Sequence, residues 1–441
     1  MATPRSTLAR ALIIVLVAVV IVAALGAWLY TTTPLGERAQ NVQRRLAARF
    51  LPHEAPAVAF VPTPVISAAE KEAALSLLAT ATVAPTAPPP TATTSPAVSQ
   101  AAVSQPAAPA ASPTAPRPPA TPTLAVALAP IVAKMDLGAM RHEYQGWNNC
   151  GPTTIAMDLN FFGKPTTQKD AAAALKPDPN DKNVGPDELA EYAHSLGMGG
   201  AYRVNGNLGM LKALLSNGIP VIVEHWFIPE PNDEMGHYKL LKGYDDEAQV
   251  FIANDSYNGP NIRIGYADFD RLWKVFNRTY VVVYPMDKEA VVKAIVGQDW
   301  DEKAMWQRSL AGAQTGVAQD QNDKFAWFNL GSSLEALGKH QEAARAYDQA
   351  RRLDLPWRML WYQFGPFDAY MAVGRYQDVL SLADANLKTA SNLEESHFYR
   401  GKALQAMGQT GEARKAFEQA VKLNTNYQRA KDALSQLTAS Q

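Results

Sequence analysis

Residues 145–154 read QGWNNCGPTT and hold the one cysteine of the 441-residue chain, directly before a helix-like run. A thiol attacks as its thiolate, and the unpaired N–H groups and positive dipole end of a helix N-terminus favour that anion. Such positions lower a cysteine pKa from about 8.5 to roughly 3.5–7.5. Pro152 suits a first helical turn, and TIAMDLNFFG then carries apolar residues at helical spacing up to a stop at Gly163. Cys150 is therefore the candidate nucleophile; the plainer alternative is an inert core thiol.

The chain is long enough for two or three units, and its net charge of −1 gives no reason to expect a nucleic-acid partner. A single cysteine excludes an intramolecular disulfide. Residues 11–30 form an uncharged apolar run flanked by Arg5 and Arg10, with Trp28 and Tyr30 at its far end. About 20 such residues span a bilayer, so a single transmembrane helix is expected. A cleaved signal peptide ending near Ala24-Leu25-Gly26 is the rival reading, but the run exceeds a signal core of roughly 7–15 residues. Arg38, Arg44, Arg45 and Arg49 compete in the positive-inside balance, while the short tail, residues 1–10, favours a cytoplasmic N-terminus and an extracytoplasmic remainder. Residues 31–130 are dominated by Pro, Ala, Thr and Ser beyond the juxtamembrane part. Repeated proline opposes helix and sheet, so a stalk or disordered linker is expected over 52–122.

Charges and aromatics return between residues 131 and 286. Short helices are expected at 169–175, 186–196 and 207–216. Strands follow at 220–226, 237–244, 249–254, 262–264 and 278–284, with a helix at 266–276. Helices first and strands afterwards predict an α+β domain, the Cys150 helix packing on an antiparallel sheet.

His237 opens HYKLLKGYDDEAQVFIANDSY, two strand-like runs joined by polar residues 245–248. A turn centred between Asp246 and Glu247 sets Tyr238 opposite Asp255; a loop one residue different sets His237 there instead. Either register brings an acid beside the imidazole, holding one ring nitrogen and leaving the other for Cys150. Gln145 is spaced to add its amide N–H to that of Cys150 at a developing oxyanion. Taken singly, His237 reads equally as a strand histidine, Asp255 as a turn residue and Gln145 as a surface residue. Their order along the chain is the one thiol acyl transfer requires. His225 has no second ligand at metal-site spacing, so neither metal nor cofactor is expected.

Together QGWNNCGPTTIAMDLNFFG, GHYKLLKGYDD and VFIANDSY resemble the bacteriocin-processing, double-glycine group of papain-like cysteine peptidases and its wider relatives, over residues 140–285. That resemblance implies a papain-like fold acting on a peptide or protein substrate. By the same likeness Cys150 is the nucleophile, His237 the general base and then acid, Asp255 the orienting acid and Gln145 the oxyanion donor. The processing members sit on transporters with a nucleotide-binding unit, whereas no GxxxxGK[ST] loop occurs in this chain. An anchor and a stalk imply instead a peptidase held outside the membrane.

From Trp327 the sequence WFNLGSSLEALGKHQEAARAYDQARRLDLP follows the tetratricopeptide (TPR) pattern of two helices per ~34 residues. FYRGKALQAMGQTGEARKAFEQAVKL repeats it, and YMAVGRYQDVL keeps the period between them, with Pro366 marking a distorted unit. Residues 287–441 thus resemble a three-repeat solenoid, with a leading helix at 301–316 and a capping helix at 427–437. Such arrays offer a concave surface to a protein partner, or serve as a scaffold against the peptidase unit. The expected whole is a membrane-anchored thiol peptidase with partner-binding repeats. A catalytically silent adaptor is the alternative, and transfer rather than hydrolysis suits the same residues.

Overall fold

The computed structural model describes residues 22–23, 25–26, 61–64, 67–78, 126–178, 181–229 and 234–439. The expected anchor and most of the linker lie outside the described residues. Among the described residues no helix is long and apolar enough to cross a membrane.

One part of the expected stalk is packed structure. Helix α1 (Ala68–Leu75) starts from a capping box in which Ser67 Oγ accepts from the Glu70 amide and the Glu70 carboxylate accepts from the Ser67 amide. Val61 and Ala74 enter the core of the repeats, and the Arg351 guanidinium donates to the Pro62 carbonyl at 2.6 and 2.9 Å. The stretch AAEKEAAL contains only good helix formers and no proline, a local signal that the composition of the whole segment concealed.

The middle of the chain builds a seven-stranded antiparallel sheet. Its strands are β1 (Lys134–Asp136), β2 (Gly199–Arg203), β3 (Val221–Phe227), β4 (Met235–Asp245), β5 (Val250–Asp255), β6 (Gly259–Gly265) and β7 (Tyr280–Tyr284). The order is β2-β7-β3-β4-β5-β6, with β1 paired to the far end of β4. Helices α2 (Cys150–Phe161), α3 (Gln168–Leu175) and α4 (Pro186–Ser195) cover one face, where Ile155, Leu159 and Leu189 meet Ile222, Leu240 and Val281. Helices α5 (Leu208–Ser216), α6 (Tyr266–Trp273) and α7 (Glu289–Val296) cover the other, against Val221, Val223 and Val282. A sheet buried on both faces explains why β7 reads as the unbroken apolar run YVVVY.

Strand β2 corrects the expected order, because it lies between α4 and α5 and pairs with β7. Its sequence GGAYR carries a turn signal, yet the glycines are there for space. A Cβ on Gly200 would lie 2.5 Å from the Ala190 carbonyl of α4.

The C-terminal region stacks α8 (Glu302–Gln319), the pairs α9 (Lys324–Ala336) and α10 (His340–Arg352), α11 (Gly365–Ala372) and α12 (Tyr376–Thr389), α13 (Glu394–Ala406) and α14 (Thr410–Leu423), and α15 (Gln428–Ala439). Small residues let the paired helices close: a Cβ on Gly331 would meet Tyr347 at 2.7 Å, and one on Gly401 would meet Phe417 at 2.6 Å. The repeats and the sheet domain share one apolar cluster, in which Trp226, Val275 and Phe276 join Trp327, Phe328 and Leu360. Lys274 Nζ pairs with Asp323 at 2.6 Å and Asn183 Nδ2 donates to Glu395 at 2.9 Å across the same junction. Phe276→Ala is expected to destabilise the chain by about 3 kcal/mol through the cavity it leaves. Urea unfolding followed by fluorescence and circular dichroism measures this, and the two units are expected to melt in a single transition in the parent chain.

Candidate active site

Cys150 stands at the first helical position of α2, half-buried, after a loop whose Asn148 adopts φ 52°. Gln168 holds that loop. Its Oε1 accepts from the Gly146 amide and Asn149 Nδ2, both at 2.8 Å, and its Nε2 donates to the Tyr144 carbonyl at 2.8 Å. Lys176 Nζ donates to the Asn148 carbonyl at 2.6 Å. A Cβ on Gly151 would press Val184 at 3.3 Å and Tyr238 at 3.5 Å, so a glycine lets the first turn sit flush on β4. There Thr154 Oγ1 donates to the Tyr238 carbonyl at 3.4 Å, and the His237 side chain and the Tyr238 amide act on the Cys150 thiol to lower its pKa.

His237 and Asp255 are brought together in a register that neither sequence expectation anticipated. The β4–β5 turn spans residues 246–249, with Gln249 at φ 52°, so the ladder begins with Asp245 opposite Val250. A β-bulge at Lys242 then shifts it by one residue, and past its last pair, Leu240 with Asn254, the register brings Asp255 level with Lys239 rather than Tyr238 or His237. Paired residues share a face, and on one strand so do residues two apart, so the bulge puts Asp255, Lys239 and His237 on one side of the sheet. Without the bulge Asp255 would align with Leu240 and face the other way.

His237 Nε2 donates to Asp255 Oδ1 at 2.9 Å, which leaves Nδ1 toward the thiol. Asp255 Oδ1 also accepts from the Tyr257 and Asn258 amides at 2.9 and 3.0 Å, and Oδ2 accepts from Asn258 Nδ2 at 2.9 Å and from Lys239 Nζ. The Phe227 ring lies 4.9 Å from the His237 ring and 5.0 Å from Lys239 Nζ, closing the group from solvent.

Burial alone raises the Asp255 carboxyl, but the charges of Lys239 and His237 and their hydrogen bonds outweigh it and hold the group well below the usual carboxylate range. Burial lowers His237, and Lys239 opposes its protonation; Asp255 and Cys150 prevail, so its net shift is upward. Burial raises the Cys150 thiol, while His237, the Tyr238 amide and the Lys176 ammonium bring it down overall. An acidified thiol beside a more basic imidazole is the electrostatic condition for a thiolate–imidazolium pair.

Gln145 is fixed by Ser256, whose Oγ donates to its Oε1 at 2.8 Å, and by its own amide bond to the Ser256 carbonyl at 3.0 Å. With Oε1 occupied as acceptor, Nε2 is the donating end of the side chain. Lys239, Gln168, Lys176 and Ser256 were not among the expected site residues. Lys239 had a signal, two positions after His237 on one strand and therefore on the same face; the others reach the site by tertiary contact alone. Lys239→Met removes a cation that opposes His237 protonation, so His237 is expected to titrate higher by NMR. Loss of that charged hydrogen bond to Asp255 is expected to cost about 1.5–3 kcal/mol in urea unfolding.

Comparison with known proteins places these observations. Residues 129–281 match the Peptidase_C39 like family, and residues 325–355 and 394–427 match the tetratricopeptide repeat. No curated protein matches the chain. Among solved structures, a double glycine motif protease from an AMS/PCAT transporter in complex with its leader peptide is 19% identical, covering 34% of this chain and 93% of its own at TM-score 0.26. A putative C39-like peptidase from Bacillus anthracis is 15% identical, covering 34% and 96% at TM-score 0.29. Xylellain, a cysteine protease from Xylella fastidiosa, is 16% identical, covering 36% and 88% at TM-score 0.24. The chain thus joins a segment similar to the Peptidase_C39 like family to C-terminal segments that match the tetratricopeptide repeat.

Proposed function

We propose that this chain is a membrane-anchored, extracytoplasmic thiol peptidase that hydrolyses peptide bonds at Cys150, with the repeats binding a protein partner or positioning substrate. The observation that carries the reading is the buried His237–Asp255 pair, joined at 2.9 Å, whose imidazole acts on the Cys150 thiol to lower its pKa. The Cys150 thiolate adds to the scissile carbonyl, and the oxyanion formed receives N–H bonds from the Cys150 backbone and from Gln145 Nε2. His237 passes its Nδ1 proton to the departing amine, leaving a thioester on Cys150. Water then gives a proton to His237 and adds to the thioester, and collapse releases the acid and restores the pair. Asp255 keeps the imidazole oriented through both halves.

Residues 11–30 serve as the anchor in this proposal, residues 1–10 as a cytoplasmic tail, residues 131–286 as the peptidase unit and residues 287–441 as the repeats. The apolar run and its flanking Arg5 and Arg10 support the anchor. Peptide-library digestion by the chain without residues 1–30 is expected to give cleavage that Cys150→Ala and His237→Ala abolish. Gln145→Ala is expected to lower kcat by about 10²–10³. Cleavage that survives loss of Cys150 or His237 would defeat this mechanism, and absence of cleavage by the parent chain would leave the silent adaptor as the better account. The full chain is expected to stay with carbonate-washed membranes and to be cut by protease added outside intact cells.

A further inference from the structure

Beside Cys150 lies an open pocket lined by Val184, Glu224, Gly236, Tyr238 and Tyr362 as well as the cysteine, with Lys182 also on its wall. Glu224 is only 7% exposed. It projects from β3 on the face opposite His225, level with Tyr238 across the β3–β4 ladder. Among the described residues no donor or cation pairs with its carboxyl group. Of the polar groups at its side, the Tyr238 hydroxyl is engaged, donating to the Val184 carbonyl at 2.8 Å. The Glu224 oxygens face the pocket and not protein donors, so a donor that enters the pocket meets an unengaged carboxyl.

We infer that this pocket takes a basic side chain of the substrate peptide, next to the scissile bond, with Glu224 as the group that binds its cation. The inference rests on the peptidase reading and adds the substrate class to it. A cation suits the pocket better than a neutral donor, because Cys150 and Asp187 add negative field at Glu224. Burial, followed by those two charges, pushes the carboxyl well above its usual range, and a cation in the pocket would bring it down. Lys182 at the mouth is drawn away from the floor, its Nζ 5.1 Å over the Trp147 ring. Tyr362 comes from the helical region, and a Cβ on Gly236 would meet its ring at 3.2 Å, so the repeats supply one wall of the pocket.

The test alkylates Cys150 near neutral pH with the bromoacetamide of a guanidinobutyl amine and with its uncharged ureidobutyl isostere. The guanidino reagent is expected to react about tenfold faster, the gain of one charge-assisted hydrogen bond. Taking the ratio of the two rates within each protein cancels changes in thiol reactivity. Glu224→Gln is expected to bring the ratio near one, and Glu224→Asp, tested alongside in case the amide variant misfolds, to an intermediate value. A ratio of one in the parent chain, or an unchanged ratio in the Glu224 variants, overturns the inference. The peptidase reading fails by a different measurement, namely iodoacetamide reacting with Cys150 no faster than with free cysteine, which leaves the ratio readable.

Discussion

The buried carboxylate of Asp255 is the charge around which the site is arranged. At 0% exposure it would be prohibitively costly alone, and it is tolerated because two side-chain cations or donors from β4, one asparagine amide and two backbone amides converge on its two oxygens. The residues after it in NDSYNGP supply the turn donors, and His142 Nε2 meets its carbonyl at 3.0 Å, tying the segment ahead of the cysteine to the same point. Removing a partner from such a group leaves charge unpaired, at a cost larger than that of an ordinary surface hydrogen bond. The imidazole position, and with it the basicity that draws the proton from Cys150, follows from that arrangement.

A second constraint comes from the repeats. Phe276 and Trp226 belong to the sheet domain by sequence, yet they pack in the cluster that contains the helical repeats, with ring centroids of Phe276 and Tyr362 6.2 Å apart. Tyr362 belongs to the irregular stretch between α10 and α11 where the repeat pattern breaks. The distortion that Pro366 signals therefore lies where the helical region turns toward the cysteine. Sequence-level periodicity marks such a unit as imperfect; the tertiary contact gives the imperfection its place in the structure.

Much of this was legible from residues alone, for identifiable reasons. The helix after Cys150, the strand after His237 and the paired helices of the repeats carry strong periodic patterns and glycine stops, and they stand where the periods put them. Strand β2 was missed because two glycines that make room for Ala190 and Tyr284 look like a turn. The helix at Ala68 was missed because its eight residues sit inside a long proline-rich composition. The His237–Asp255 partnership was legible as a pair but not in register, since Gly243, the one mark beside the bulge at Lys242, does not by itself fix a one-residue shift. Lys239 was missed although alternation along β4 places it on the face of His237, whereas Gln168 and Glu224 acquire meaning only when distant segments meet.

The central claim, that Cys150 rests as a thiolate paired with an imidazolium held by Asp255, is tested most directly by titrating thiolate ultraviolet absorbance against a Cys150→Ser reference. Folded-state shifts downward for the thiol and upward for His237 predict that the absorbance appears at lower pH than for an ordinary thiol and moves to higher pH in His237→Ala. A thiolate that forms near the ordinary thiol value of about 8.5 in the parent chain would contradict the account.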